Sequence, residues 1–249
     1  MKIKVNAHSI AFGTNVLDID IPEILTQKFK TGIEHVDGCL GGQGFTPSTV
    51  TLFTGEPGAG KTTMVLDIAD AITKKKGVAL FNTAEESLFQ TAMTAKRVGL
   101  KHGFLTGNSS KIDEIIKHSR KIQKQNPGKQ FFLIIDSLQC MDDGHYHDGR
   151  ITSQTAVRCL TKITEFCKET NAIAVCINQV NKSGKMSGSN KLKHMVDCHI
   201  HLSIERKDDE MLGCRILESE KNRFGGCGHV FFLNLGRKGF KVVARVSAC

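Results

Sequence analysis

Gly55-Glu56-Pro57-Gly58-Ala59-Gly60-Lys61-Thr62 fits G-x-x-x-x-G-K-[ST] at every position. In that pattern backbone N–H groups wrap a polyphosphate at the start of a helix. Gly55, Gly58 and Gly60 allow the chain to curl where side chains would block it. Lys61 is placed to reach the β/γ-phosphates, and the Thr62 hydroxyl to ligate Mg²⁺. Together with Thr63, these residues form the expected binding stretch for a nucleoside triphosphate.

Other residues could turn binding into chemistry. Asp136 ends the run Phe131-Phe132-Leu133-Ile134-Ile135, and a carboxylate at the tip of so apolar a strand is costly unless it serves a cation. Glu85, with Glu86 as fallback, follows a second apolar run and is the expected base that orients an attacking water. Their plain alternative is to decorate the first turn of the next helix. Gln179 follows a third apolar run and is placed to sense the γ-phosphate. The segment after it carries Lys182, Lys185, Lys191 and Lys193 with no acid among them, which suits contact with a phosphate backbone. Lys221 and Arg223, in a turn expected between two late strands, could clamp a triphosphate across a subunit boundary.

These residues need a frame. Thr49 to Thr54 is β-branched and apolar and predicts a buried strand, and Met64, Ile68, Ala71 and Ile72 form the stripe of a helix after it. Further strands are expected at 78–82, 131–136 and 172–177, with helices near 87–98, 110–125 and 153–169. Alternation of this kind implies an α/β fold with a mostly parallel sheet covered by helices on both faces. Segments near 197–204, 212–220, 229–235 and 239–244 read as antiparallel additions to that sheet. Residues 1–30 read as an arm or linker and 31–249 as the core.

The 249 residues carry a formal net charge of +9, which favours a polyanionic partner such as nucleic acid. The absence of Trp and the single Tyr argue against an extended base-stacking platform. No apolar run approaches membrane-spanning length and no secretory h-region follows Met1, so a cytoplasmic protein is expected. Nine scattered cysteines lack C-x-x-C spacing, which argues against a disulfide framework or a zinc site. His145-Tyr146-His147 and His199-Ile200-His201 could suggest a metal, but no Cys or carboxylate is expected to complete either set, and they read as loop or strand histidines.

From about Thr31 to Phe240 the order of pieces resembles the RadA/Sms branch of the RecA-like ATPases, near the DnaB-type helicases. The resemblance rests on Leu40-Gly41-Gly42, Thr83-Ala84-Glu85-Glu86-Ser87, Asp136-Ser137-Leu138-Gln139, His194-Met195-Val196-Asp197 and, most specifically, Lys221-Asn222-Arg223-Phe224-Gly225. It implies a RecA-like core that hydrolyses ATP with Mg²⁺, forms a homo-oligomer, usually a hexameric ring, and acts on single-stranded or branched DNA. It also implies nucleotide contact in trans for Lys221 and Arg223. These residues lack the four-cysteine zinc module and the Lon-like region of that branch, so the resemblance covers the ATPase core alone. Asn178-Gln179 stands where that branch has glycine-histidine. Two other readings stay open: an accessory DNA-binding factor switched by nucleotide with slow turnover, and a P-loop kinase.

Overall fold

The computed structural model describes residues 10–146, 149–179, 191–227 and 229–247. Its helices are α1 (Glu23–Thr26), α2 (Glu34–Cys39), α3 (Lys61–Lys74), α4 (Leu88–Val98), α5 (Ile112–Gln125), α6 (Ser153–Thr170) and α7 (Lys191–Met195). The strands are β1 (Val50–Gly55), β2 (Val78–Thr83), β3 (Leu105–Gly107), β4 (Phe131–Asp136), β5 (Ile173–Gln179), β6 (Cys198–Ile204), β7 (Arg215–Asn222), β8 (His229–Gly236) and β9 (Gly239–Ser247). They form one sheet of nine strands in the order β3-β2-β4-β5-β1-β6-β7-β8-β9. Pairing is parallel from β3 to β6 and antiparallel from β6 to β9. The α/β alternation and the late antiparallel strands match the sequence expectation.

Strand periodicity explains why the central strands read as unbroken apolar runs. On β4, Phe132 and Ile134 join one buried cluster with Val36 of α2 and Met64, Val65 and Ile68 of α3. Phe131, Leu133 and Ile135 join a second cluster with Ile112 and Ile115 of α5 and Leu160 and Ile163 of α6. Both faces are thus covered, and each needs every second residue to be apolar.

Two local devices fix helix starts. Ser87 caps α4 through a reciprocal capping box with Gln90, so the helix expected from Ser87 begins one residue later. Gly60 precedes α3 at φ 102°, and a Cβ there would come within 2.8 Å of both Leu235 and Phe240. Only glycine fits where the late hairpin presses on the turn.

Near the end of the first thirty residues, Lys28 Nζ donates to the Phe224 carbonyl, and Phe29 pairs with Phe45 through two backbone hydrogen bonds of 2.7 and 2.9 Å. Its ring also meets Phe132 edge-on at 4.9 Å. Among the described residues no helix is long and apolar enough to cross a membrane.

Candidate active site

The parallel strands β1, β2, β4 and β5 end along one edge of the sheet, where ligands bind in open α/β folds. Gly55 ends β1 and opens the glycine loop, and a Cβ on it would meet the Leu202 carbonyl oxygen of β6 at 2.3 Å. The loop returns into α3, where Lys61 is buried and its Nζ donates to the carbonyls of Gly55 at 2.8 Å and Glu56 at 2.9 Å. Burial lowers the Lys61 pKa, opposed by the charges of Asp136, Glu85 and Glu56. The ammonium thus closes the loop that it would leave for phosphate oxygens.

Asp136 ends β4 with 3% of its surface exposed, and its Oδ2 accepts a hydrogen bond from Thr62 Oγ1 at 3.0 Å. Burial raises its pKa to about 6, and the nearby Glu85 and Glu86 push the same way against the Thr62 hydrogen bond and Lys61. A buried carboxylate beside a hydroxyl, with no basic side chain in ion-pair contact among the described residues, is a donor set that fits Mg²⁺. The Asp136–Ser137 peptide is cis.

Glu85 lies just beyond β2 and is exposed. Its Oε1 accepts from Gln179 Nε2 at 2.9 Å and from Gln139 Nε2 at 3.2 Å. Gln139 in turn accepts from the Gln179 backbone N–H at 3.2 Å through its own Oε1. The carboxylate is therefore held across the tips of three neighbouring strands, β2, β4 and β5. Glu86 meets the same region through its backbone, its N–H donating to Thr83 Oγ1 at 3.1 Å.

The structure brings Lys61, Thr62, Asp136, Glu85 and Gln179 together and holds Lys221 and Arg223 elsewhere. Lys221 and Asn222 end β7, so the turn begins at Arg223; the sequence had placed both residues in the turn. Lys221 Nζ donates to the carbonyls of Val196, His194 and Lys193 at 2.7, 3.1 and 3.2 Å, capping the end of α7. Arg223 pairs with Asp197 at 3.3 Å, and Asp197 exchanges hydrogen bonds of 3.0 and 3.1 Å with Val50 at the start of β1. Both cations thus sit at the end of β1 opposite its own glycine loop. Lys191 and Lys193 lie on α7, whereas Lys182 and Lys185 fall outside the described residues.

Three features were missed from the sequence. In the sequence Gln139 stands only as part of the Asp136-Ser137-Leu138-Gln139 motif, and its hydrogen bonds to Glu85 and Gln179 depend on adjacent strand tips. Arg206, beyond β6, makes a two-point ion pair with Glu56 of the glycine loop at 2.6 and 2.9 Å, across 150 residues. The third corrects the histidine reading. A carboxylate does complete His199 and His201, because Glu220 of β7 lies 2.9 Å from His199. It is distant in sequence and adjacent only through the β6–β7 ladder.

Fold and site together define a RecA-like P-loop ATPase core. The family described as "ATPase: KaiC" matches residues 29–231, and the chain belongs to that family. Among curated proteins it is 34% identical over 224 residues to the DNA repair protein RadA of Aquifex aeolicus, covering 89% of this chain and 48% of that protein. RadA of Escherichia coli is 31% identical over 232 residues, covering 93% and 47% respectively. The chain thus spans about half the length of the curated relatives it matches. Among solved structures, a DnaB-like replicative helicase superposes with a TM-score of 0.72 at 14% identity, covering 85% of this chain and 61% of that one. A KaiC-like protein of Pyrococcus horikoshii OT3 gives 0.70 at 19% identity, covering 87% and 99%.

Proposed function

We propose that the chain is the ATP-hydrolysing core of a DNA motor, acting on single-stranded or branched DNA in recombination, repair or replication. The observation that carries this reading is Glu85, held by Gln139 and Gln179 at the edge that bears Lys61, Thr62 and Asp136. Binding alone needs only the glycine loop; a carboxylate braced by two amides is what water activation adds.

ATP is the expected substrate, held by Gly55, Glu56, Pro57, Gly58, Ala59, Gly60, Lys61, Thr62 and Thr63. Thr62 and Asp136 would hold Mg²⁺, which when bound neutralises charge on the phosphate oxygens. Lys61 moves from the carbonyls of Gly55 and Glu56 to the β/γ-phosphates. Glu85 orients a water in line with the γ-phosphorus and takes its proton as the new P–O bond forms and the β–γ bridge breaks. Gln179, at the end of β5, is bonded to that base and directly precedes the lysine-rich segment. Release of phosphate can therefore be felt where Lys182, Lys185, Lys191 and Lys193 are expected to meet a nucleic-acid backbone.

The relatives named DNA repair protein RadA support a DNA substrate, and the net charge of +9 agrees. Homo-oligomerisation, as a hexameric ring, would bring Lys221 and Arg223 to a neighbour's nucleotide. ATP turnover measured at low salt with and without single-stranded DNA tests the reading. Stimulation by DNA that fades as salt rises is expected; equal rates with and without DNA would overturn the DNA role.

A further inference from the structure

We propose that His199, His201 and Glu220 form a site for a divalent cation of the zinc type, separate from the Mg²⁺ position at Thr62 and Asp136. His199 and His201 are two apart on β6 and so project from the same face of the sheet. Glu220 joins them through an irregularity in pairing. The β6–β7 register passes from His199↔Lys221 to Ile200↔Ser219, which leaves Glu220 as the extra residue of a bulge. Bulges re-aim side chains, and here the carboxylate Oε2 comes within 2.9 Å of His199 Nδ1. One ligand atom from each of the three residues lies within 4.8 Å of the others.

One hydroxyl ties the two rings together. Thr54 Oγ1 lies 2.7 Å from His199 Nε2 and 2.8 Å from His201 Nδ1. Its own proton can turn toward the Ile200 carbonyl at 3.5 Å. If Thr54 accepts from both rings, each imidazole keeps a lone pair on its other nitrogen, and that of His199 is the atom facing Glu220. A hydroxyl fixing the tautomers of two histidines is the role of outer partners in metal sites. The carboxylate is also prepared for a cation, because Lys193 Nζ sits 2.8 Å from the same Oε2. A metal ion would replace one positive partner with another.

Two imidazoles and one carboxylate select borderline metals such as Zn²⁺ and Co²⁺ over Mg²⁺ or Ca²⁺. Three protein ligands leave a tetrahedral ion one open position. With bonds of about 2.1 Å the edges of such a site measure roughly 3.4 Å, so its widest edge must contract, and the exposed Glu220 can supply movement. The location gives the ion two neighbours of consequence. Thr54 directly precedes Gly55, and the displaced Lys193 belongs to the helix after the lysine-rich segment.

The test is Co²⁺ titration of the nucleotide-free protein, followed by visible absorption and then displacement with Zn²⁺. One equivalent with the strong bands of tetrahedral Co²⁺ and no thiolate charge-transfer band is expected. His201→Gln and Glu220→Gln, each checked by thermal melt for an intact fold, should weaken binding about tenfold or more. Lys193→Met should tighten it, because the competing ammonium is gone. Lack of saturable binding under excess Co²⁺, a thiolate band, weak octahedral bands alone, or affinity unmoved by these three variants would each overturn the site.

Discussion

Burial raises the Asp136 carboxyl to about 6 from an ordinary 3.8, so its charge works against folding until a cation joins it. The penalty is absent below the ordinary value, grows as pH rises toward 6, and is full above it, where it reaches about 3 kcal/mol. Asp136→Asn should therefore melt several degrees higher than the parent at pH 7.5 without nucleotide, and the advantage should vanish near pH 4. The same variant should lose Mg²⁺-dependent ATP binding. Thermal melts at the two pH values, with and without Mg²⁺ and ATP, check both halves. Below about pH 6 the proton on Asp136 also competes with the metal, so Mg²⁺ affinity of the parent should fall there. At this scale the sequence disclosed the residues whose neighbours are local. The glycine loop, Thr62 and Asp136 were legible because pattern and strand tip name them. Gln139, Arg206 and Glu220 were not, since each meets its partner across a sheet whose strand order leaves no trace in local spacing.

Elements were more legible than their ends. The central strands declared themselves because burial on both faces demands unbroken apolar runs, as in Phe131 to Ile135. The end of β7 was misread because Lys221 and Asn222 look like turn residues, yet both still pair with β6. The three carbonyls at the end of α7 explain what Lys221 does there. A helix of five residues leaves its C-terminal carbonyls without partners in the helix, and the Lys221 ammonium serves them. Lys221→Met should lower the stability of the isolated chain by about 1–3 kcal/mol, read as the midpoint of a urea titration. A midpoint equal to that of the parent would mean that water replaces the ammonium at no cost. The turn that follows rests against another part of the family resemblance. A Cβ on Gly41 would come within 2.9 Å of Gly226 N, so the Leu40-Gly41-Gly42 turn and the Arg223–Gly225 turn pack together although they lie far apart in the chain. The sequence presents those motifs as separate signatures, and the fold makes them one contact.

At the scale of the whole molecule, Lys221 and Arg223 lie at the far end of β1 from their own glycine loop, so within one chain the nucleotide site lacks them. Phe89 and Met93, four apart on α4, are 83% and 70% exposed, and the proposed homo-oligomer would be expected to cover them. Phe89→Glu should shift the mass distribution with an ATP analogue and single-stranded DNA toward monomer while nucleotide binding persists; a parent that stays monomeric under those conditions would remove the trans roles of Lys221 and Arg223. Under either assembly state, Glu85 is the residue that would make this a site of hydrolysis and not of binding alone. Phosphate release under saturating Mg²⁺ and ATP, comparing the parent with Glu85→Gln, tests it most directly. A loss of about 10²-fold or more in turnover, with ATP affinity nearly unchanged, is expected. Turnover by Glu85→Gln close to that of the parent would contradict it.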